Sequence, residues 1–330
     1  MATDQQKDTT NLFRVSDYNE AYWDAYLAAR PKYTPSFYSL IYAYHDAHSA
    51  SRAIAHDIGT GPGQVASQLA THFARVIASD NNSTHLAVAA QRLATLHASQ
   101  RVAFVESSAE TVHAAYAPGS ADLVAAAECL PLLDARAAVS SFARLLRPGG
   151  TLAVWFYGRP AFAEPSFAPR CQPLLDEILD GSFAKVIRGG GPAHRLGWKR
   201  ATDCMASWLD NVALPVEEWR DVERRKWNPQ LSMPFYGPAA CDFEMERTST
   251  VREEERVWEE REPGFWAERW RVDEVKRFVA VNLPRFEEEK GRKEDEVIEK
   301  KYQELEAAMG GKEAERVITW PVVLILATRK

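Results

Sequence analysis

Asp57, Gly59, Gly61 and Gly63 stand at alternate positions in the run Ala55-His56-Asp57-Ile58-Gly59-Thr60-Gly61-Pro62-Gly63-Gln64. Glycines at this spacing let the backbone turn tightly and let a ligand approach where a Cβ would otherwise stand. A short apolar run, Ala53 to Ile58, precedes the turn, and a helical pattern, Val65 to Phe73, follows it. The unit reads as strand, glycine turn and helix, with the free N–H groups of the helix start facing whatever lies over the glycines. A nicotinamide dinucleotide site would carry its third glycine at position 64; position 64 is Gln.

A second carboxylate narrows the chemistry. Asp80 ends the strand-like Arg75-Val76-Ile77-Ala78-Ser79 and is followed by Asn81. It lies about 20 residues beyond the glycines, the offset at which an acid accepts both hydroxyls of an adenosine ribose. A lone strand-end acid commonly caps a turn, and a lone glycine turn joins many strands to helices; the two together point to a nucleoside-bearing ligand. Further chemistry-bearing residues follow later strand-like runs: Ser108, Ala109 and Glu110 after Val102 to Glu106, and Glu128 directly after Ala121 to Ala127. Upstream, Tyr18, Tyr22 and Tyr26 share one helical face. Pro31 ends that helix near Arg30, and an Arg at a helix end can hold a carboxylate by a two-pronged contact.

These residues need elements to position them. Apolar runs at 53–58, 75–80, 102–106, 121–127, 151–156 and 322–327 are nearly continuous, as in parallel strands covered on both faces. Helical patterns alternate with them, and Arg147-Pro148-Gly149-Gly150 makes a sharp stop after 135–146. Asp221 to Trp227 reads equally as a sixth strand or as a helix; counted as a strand, it makes the predicted α/β fold a doubly wound, mostly parallel, seven-stranded sheet. Ligands of such sheets lie outside the carboxyl ends of the strands, which is where Gly59 to Gly63, Asp80, Ser108 to Glu110 and Ala127 to Cys129 all fall. The organisation expected is a flexible leader at 1–17, a core at 18–157 plus 317–330, and a largely helical lid inserted at 158–316. Within the lid, Val297, Ile298, Tyr302, Leu305 and Met309 recur at helical spacing before Gly310-Gly311.

The whole-chain totals exclude other classes. The chain has 330 residues, 46% hydrophobic and 26% charged, with a net charge of −6. No basic clustering speaks for nucleic acid. No apolar run reaches the roughly 20 residues that span a bilayer, and the polar start lacks a signal-peptide core. Four scattered cysteines, Cys129, Cys171, Cys204 and Cys241, read as reduced thiols of a cytoplasmic protein. No metal-ligand spacing is present.

The Asp57-x-Gly59-x-Gly61-x-Gly63 pattern resembles motif I of class I S-adenosylmethionine (SAM) methyltransferases. The chain as a whole is similar to fungal small-molecule methyltransferases of the trans-aconitate methyltransferase type. The similarity rests on Tyr26, Arg30-Pro31-x-Tyr33, the glycine turn through Gln64, Leu146-Arg147-Pro148-Gly149-Gly150-Thr151-Leu152, Trp155-Phe156-Tyr157-Gly158, Trp208-Leu209-Asp210-Asn211-Val212 and Trp227-Asn228. The resemblance implies that Asp57 and the glycines hold the methionine end of SAM, Asp80 the ribose, and Ser108 and Ala109 the adenine; the carboxylate that Arg30 could hold at its helix end is then that of the methionine. It also implies methyl transfer to a small acceptor. Two departures stand out: Ser108 replaces an acid common in relatives, and Pro131-Leu132-Leu133 replaces His-Trp-Phe before Asp134, close to the expected acceptor.

The activity expected is methyl transfer to an oxygen, first of all a carboxylate, of a small acceptor. A carboxylate arrives ionised and needs no base; alignment in a dry pocket is then most of the catalysis. A hydroxyl acceptor would call for a base, for which Glu128 and His194 stand available. Trp155, Tyr157, Trp198, Trp208 and Trp266 are the aromatic candidates to contact the acceptor. Arg159, Arg188, Arg195 and Arg200 are the cations that could neutralise an anionic one. Two rival readings remain open: a methyltransferase-shaped cyclase, kept alive by the departure at Pro131-Leu132, and a SAM-binding regulatory protein with the charged face of 287–309 as a partner surface.

Overall fold

The computed structural model describes residues 20–49, 51–282 and 293–330; the expected leader, Tyr18 and part of the charged stretch 287–309 lie outside them. Its centre is a sheet built in the order β3-β2-β1-β4-β5-β11-β7-β8. Five of these strands are mutually parallel: β1 (Ile54–Ile58), β2 (Arg75–Asp80), β3 (Val102–Glu106), β4 (Ala121–Ala127) and β5 (Leu146–Tyr157). A three-stranded sheet carries the pairs of β6 (Ala161–Phe162), β9 (Glu268–Trp270) and β10 (Arg316–Thr319). In the large sheet, β11 (Val322–Arg329) runs antiparallel between β5 and β7 (Trp219–Trp227), and β8 (Arg256–Glu260) lies parallel to β7 at the edge.

The sheet therefore has eight strands rather than the seven expected, and 221–227, which the sequence left open between strand and helix, falls in β7. The eighth escaped because Arg-Val-Trp-Glu-Glu is exposed along its whole length, so no burial alternation marks it. Within 158–316 the strands of two and three residues, at 161–162 and 268–270, are too short for any periodicity to show.

Helices α1 (Glu20–Ala29) and α2 (Pro35–His48) precede the sheet. Pro35 opens α2, and the Thr34 hydroxyl caps it by accepting the Phe37 N–H at 3.2 Å. α3 (Gln64–Leu69) follows the glycine turn; α4 (Ser83–Arg92) and α5 (Ala94–Ala98) follow β2, with a break at Leu93. α6 (Ala135–Leu145) precedes β5 and packs on β4 and β5, while α2 packs on β5 and β11. Leu146 to Gly150 already belong to β5. Asp122, fully buried, accepts the Ala53 and Ile54 N–H groups at 2.8 Å and pairs with Arg147, fixing the starts of β1, β4 and β5 together.

In the insertion, α7 (Ala168–Arg188), α8 (Pro192–Ala206), α9 (Val272–Asn282) and α10 (Lys293–Met309) share one buried cluster with the sheet, running from Phe37 to Ala327. Ile298, Tyr302, Leu305 and Met309 are its contribution from α10, but Val297 is 59% exposed and belongs to the outer face. Arg224 on β7 is fully buried: its guanidinium donates to Glu255 at 2.7 Å and to the Leu209 and Val212 carbonyls at 2.9 Å. Gly158, just after β5, admits the Met233 backbone where a Cβ would come within 2.1 Å.

Candidate functional site

The order of strands reverses between β1 and β4, and at such a switch point a crevice opens at the carboxyl ends. Gly59, Gly61 and Gly63 take φ of +66°, +51° and +84°, a left-handed path that L residues with a Cβ rarely follow. Gly59 is exposed between the buried Ile58 and Thr60, and a Cβ there would come within 3.1 Å of Cys129, which follows β4. The turn is tied to β2 twice. The Thr60 N–H donates to the Ser79 carbonyl at 2.9 Å, and the Gly61 N–H donates to Asp80 Oδ2 at 3.0 Å. The loop and the second carboxylate, separate in the sequence, form one hydrogen-bonded unit.

Asp57 is buried at the end of β1 and accepts the Thr60 hydroxyl at 2.6 Å. Burial pushes its carboxyl up to about 7, against the pull of Thr60 and of the Ala66 N–H and with a further push from Asp80. Asp80 Oδ1 accepts the Asn82 N–H at 3.0 Å and faces His85 at 3.3 Å. Asn81 is exposed beside it. Trp23, from α1, lies edge-on to His85 with centroids 4.9 Å apart and 3.8 Å from the Cβ position of Gly61. Helix α1 thus crosses over the glycine turn. It is moored on the far side by the Tyr22 hydroxyl, which donates to the Val281 carbonyl at 2.7 Å.

At the end of β3, Ser107 donates its N–H to the Asp80 carbonyl. The Ser108 hydroxyl meets that of Thr111 at 2.9 Å, Ala109 is buried, and Glu110 accepts the Asp134 N–H at 3.1 Å. Gln64 begins α3.

The other half of the site stands at the ends of β4 and β5. Ala127, half-buried, pairs with Trp155 across the two strands. Glu128 has φ of +57°, an unusual backbone for a residue with a side chain. Its Oε1 accepts the Tyr157 N–H at 2.6 Å, and its Oε2 lies 3.9 Å from Arg30 Nη1. Arg30 donates to the Tyr157 hydroxyl at 2.5 Å. Its guanidinium lies 4.6 Å from the Tyr26 ring centre and within 6 Å of the rings of Tyr157, Phe235 and Phe278. Burial pushes the Glu128 carboxyl well above its usual range although Arg30 opposes it. Burial works against the Arg30 charge, but Tyr157, Tyr26 and Glu128 outweigh it and hold the guanidinium protonated. Burial likewise raises the Tyr33 and Tyr157 phenols well above the ordinary value.

Of the aromatic candidates, Tyr157 and Trp266 are brought together, with ring centres 6.2 Å apart, and Tyr33 lies 5.2 Å from Trp266. Trp155 sits behind them against Tyr33, Phe37 and Tyr38. Trp198 stands elsewhere, donating its indole N–H to His194 at 2.9 Å; His194 also lies 2.9 Å from the Val186 carbonyl, so the pair closes the corner between α7 and α8. Trp208 is half-buried just after α8. The four arginines proposed for an anionic acceptor are engaged otherwise. Arg159 pairs with Asp176 and Asp180, Arg188 donates to the Ala239 carbonyl, Arg195 pairs with Asp242, and Arg200 reaches the Leu132 carbonyl. Phe235, Phe278, Trp23 and His85 were not singled out as site residues. Tyr33, two residues after Pro31, was legible as part of its motif; Phe235 and Phe278 carry no local signal.

An adenosyl-amino-acid cofactor fits this crevice. A Cβ would obstruct the glycine cradle, and three buried polar atoms around it lack a hydrogen-bond partner: Arg30 Nε, Tyr38 Oη and Trp266 Nε1. Comparison with known proteins agrees. Residues 56–154 match the family model described as "Methyltransferase domain". The chain is 53% identical to Methyltransferase pgmE of Aspergillus terreus over 99% of both chains. It is 43% identical to Methyltransferase cfoB of Aspergillus candidus over the full length of both.

The chain belongs to the class I SAM-dependent methyltransferases. The methyltransferase's cofactor is SAM, and its acceptor is a small molecule. A solved structure from Anaeromyxobacter dehalogenans, described as a candidate type II methyltransferase, shares the fold at 20% identity; the TM-score is 0.54, over 91% of this chain and 97% of that one. Among the described residues no cluster of three metal-ligating side chains occurs, and no helix is long and apolar enough to cross a membrane.

Proposed function

We propose that this methyltransferase transfers the methyl group to an oxygen of a small, aromatic-bodied secondary metabolite, in a reducing compartment such as the cytoplasm, where its four unpaired cysteines persist. Bound SAM supplies a methyl carbon already activated by the sulfonium charge. The protein's share is alignment, exclusion of water and the handling of one proton. Asp57, the glycine turn, Gln64, Tyr26 and Arg30 would hold the amino acid end of SAM, Asp80 and Asn81 its ribose, and Ser108, Ala109 and Glu110 its base. Residues 158–316 act as the lid, since Phe235, Trp266 and Phe278 all come from them.

The observation that carries the choice of acceptor is Glu128, a carboxylate of raised proton affinity fixed by the Tyr157 N–H within an aromatic enclosure. A carboxylate acceptor, the first expectation from the sequence, would find Arg30, the cation beside Glu128, already engaged with Glu128 and Tyr157. A hydroxyl acceptor instead needs a proton removed, and Glu128 is placed to take it. His194, bound into the α7–α8 corner, takes no part in this reading.

The test is a matched panel of phenols and aromatic acids incubated with methyl-labelled SAM. Labelled ether is expected, and Glu128→Gln, which keeps the acceptor oxygen for Tyr157, should lower kcat about 100-fold or more while SAM affinity stays near that of the native protein. Labelled ester with full activity in Glu128→Gln would return the acceptor to a carboxylate. A product of unchanged methyl count would favour the cyclase reading, and tight binding of SAM without turnover the regulatory one.

A further inference from the structure

The edge strand β8 carries a pattern that the methyl-transfer site does not use. It has a hydrogen-bonded neighbour, β7, on one side only among the described residues. All five of its residues are exposed, including Val257 at 43% and Trp258 at 40%. The Glu260 carbonyl accepts the Asn228 N–H at 2.7 Å, so the backbone groups of Glu260 point toward β7. Backbone direction alternates along a strand. Arg256, Trp258 and Glu260 therefore pair inward, and the N–H and C=O groups of Val257 and Glu259 point out along the open edge.

Proteins usually blunt such an edge with charged side chains, a proline or a bulge. Here the five residues read Arg-Val-Trp-Glu-Glu, and the charges are opposite at the two ends. Turned about an axis through Trp258 and laid antiparallel on a second copy, the strand is complementary to itself. Val257 falls opposite Glu259 of the other copy as a hydrogen-bonded pair, using the outward backbone groups. Trp258 meets Trp258 across the axis, and Arg256 meets Glu260 twice, both as non-hydrogen-bonded pairs, in which side chains come closest. A register two residues away about Glu260 or one about Glu259 would oppose like charges. Trp258 is already held on that face by guanidinium groups, with Arg225 at 4.7 Å and Arg256 at 5.5 Å from its ring centre. Arg256 also pairs with Glu223 at 2.7 Å yet remains 54% exposed.

We propose that two copies of this chain associate through β8, edge to edge and antiparallel about Trp258, to form one continuous sheet across a twofold axis. The occupant is a second copy rather than an unrelated strand because the charge order matches its own reversal. Five residues a side make a small contact, so the dimer is weak and concentration-dependent.

Sedimentation velocity of the full chain over a wide concentration range tests this. The native protein is expected to move from monomer to dimer by mass action, less readily at high salt. Glu260→Arg, which opposes like charges at both ends, should weaken association about tenfold or more. Adding Arg256→Glu to it restores opposite charges across the axis and should recover association, although the internal pair with Glu223 is lost. Val257→Pro removes only an outward-facing N–H and should abolish the dimer while circular dichroism and SAM binding stay unchanged. A native protein that remains monomeric throughout, or a Val257→Pro dimer as tight as the native one, overturns the proposal.

Discussion

Asp57 and Glu128 are two carboxylates that the fold keeps out of water, and each leaves a measurable signature. For Asp57 the ordinary value is 3.8 and burial raises it to about 7. Between those values the native protein holds a proton that the unfolded chain has released. Stability from this group is therefore greatest below about pH 4, falls as pH rises to about 7 and is flat beyond. Asp57→Asn should accordingly melt above the native protein at pH 8 and level with it at pH 4. Three units correspond to a gain on the order of 4 kcal/mol at most. The same change should weaken SAM binding by more than tenfold in calorimetry, and a variant less stable than native at pH 8 would refute the account. As the proposed base, Glu128 acts only when ionised, so turnover should climb as pH passes through its raised value, and Glu128→Gln should lose that rising limb. The glycines and Asp80 were legible because turn geometry and offset are local properties. Arg30 and Glu128 were each noted singly, but their pairing was not: Arg30 meets Tyr157 across 127 residues, and no short-range pattern records such a contact.

Helix α1 is the element that crosses over the glycine turn. It is joined to the rest by the Trp23 packing over Gly61 and His85, by the Tyr22 bond to α9 and by the ion pair of Asp24 with Arg92 on α4, and Trp23 belongs to a small satellite cluster with Val88 rather than the main core. Trp23→Ala should therefore speed hydrogen exchange of the α1 amides and raise the Kd for SAM several-fold, while global unfolding moves by less than the ~3–5 kcal/mol typical of a tryptophan lost from a packed core. Unchanged exchange in α1 would mean the helix is held some other way. The parallel strands were readable from their continuous apolar runs, since both faces are covered. The exposed β8 and the two- and three-residue strands of the small sheet were not, because nothing in their hydrophobicity distinguishes them from loop. Val297 shows the same limit in a helix: apolar type alone put it on the buried face, and the structure turns it outward.

At the scale of the molecule, the insertion and the sheet share one buried cluster, and Arg224 fastens them where β7 enters. Arg224→Met leaves two carbonyls without their donor and Glu255 with Arg252, at 3.3 Å, as its remaining cation, and urea unfolding should show a loss of about 3–5 kcal/mol. Replacing Glu255 by Leu as well should return part of it, because a buried carboxylate that has lost its nearer partner is worse than none. Equal losses in the single and double variants would deny the pair its role. Among the strands of the large sheet, β11 comes last in the sequence yet sits between β5 and β7, buried through Thr328. A ribosome delivers those residues after the other seven strands have left its tunnel. Until they arrive, β5, whose far end carries Tyr157, has an open flank, and β7 has only the edge strand β8 to join. Nascent protein should thus sit half-assembled, exposed to chaperones and proteases, and become able to methylate only once its final strand slots home.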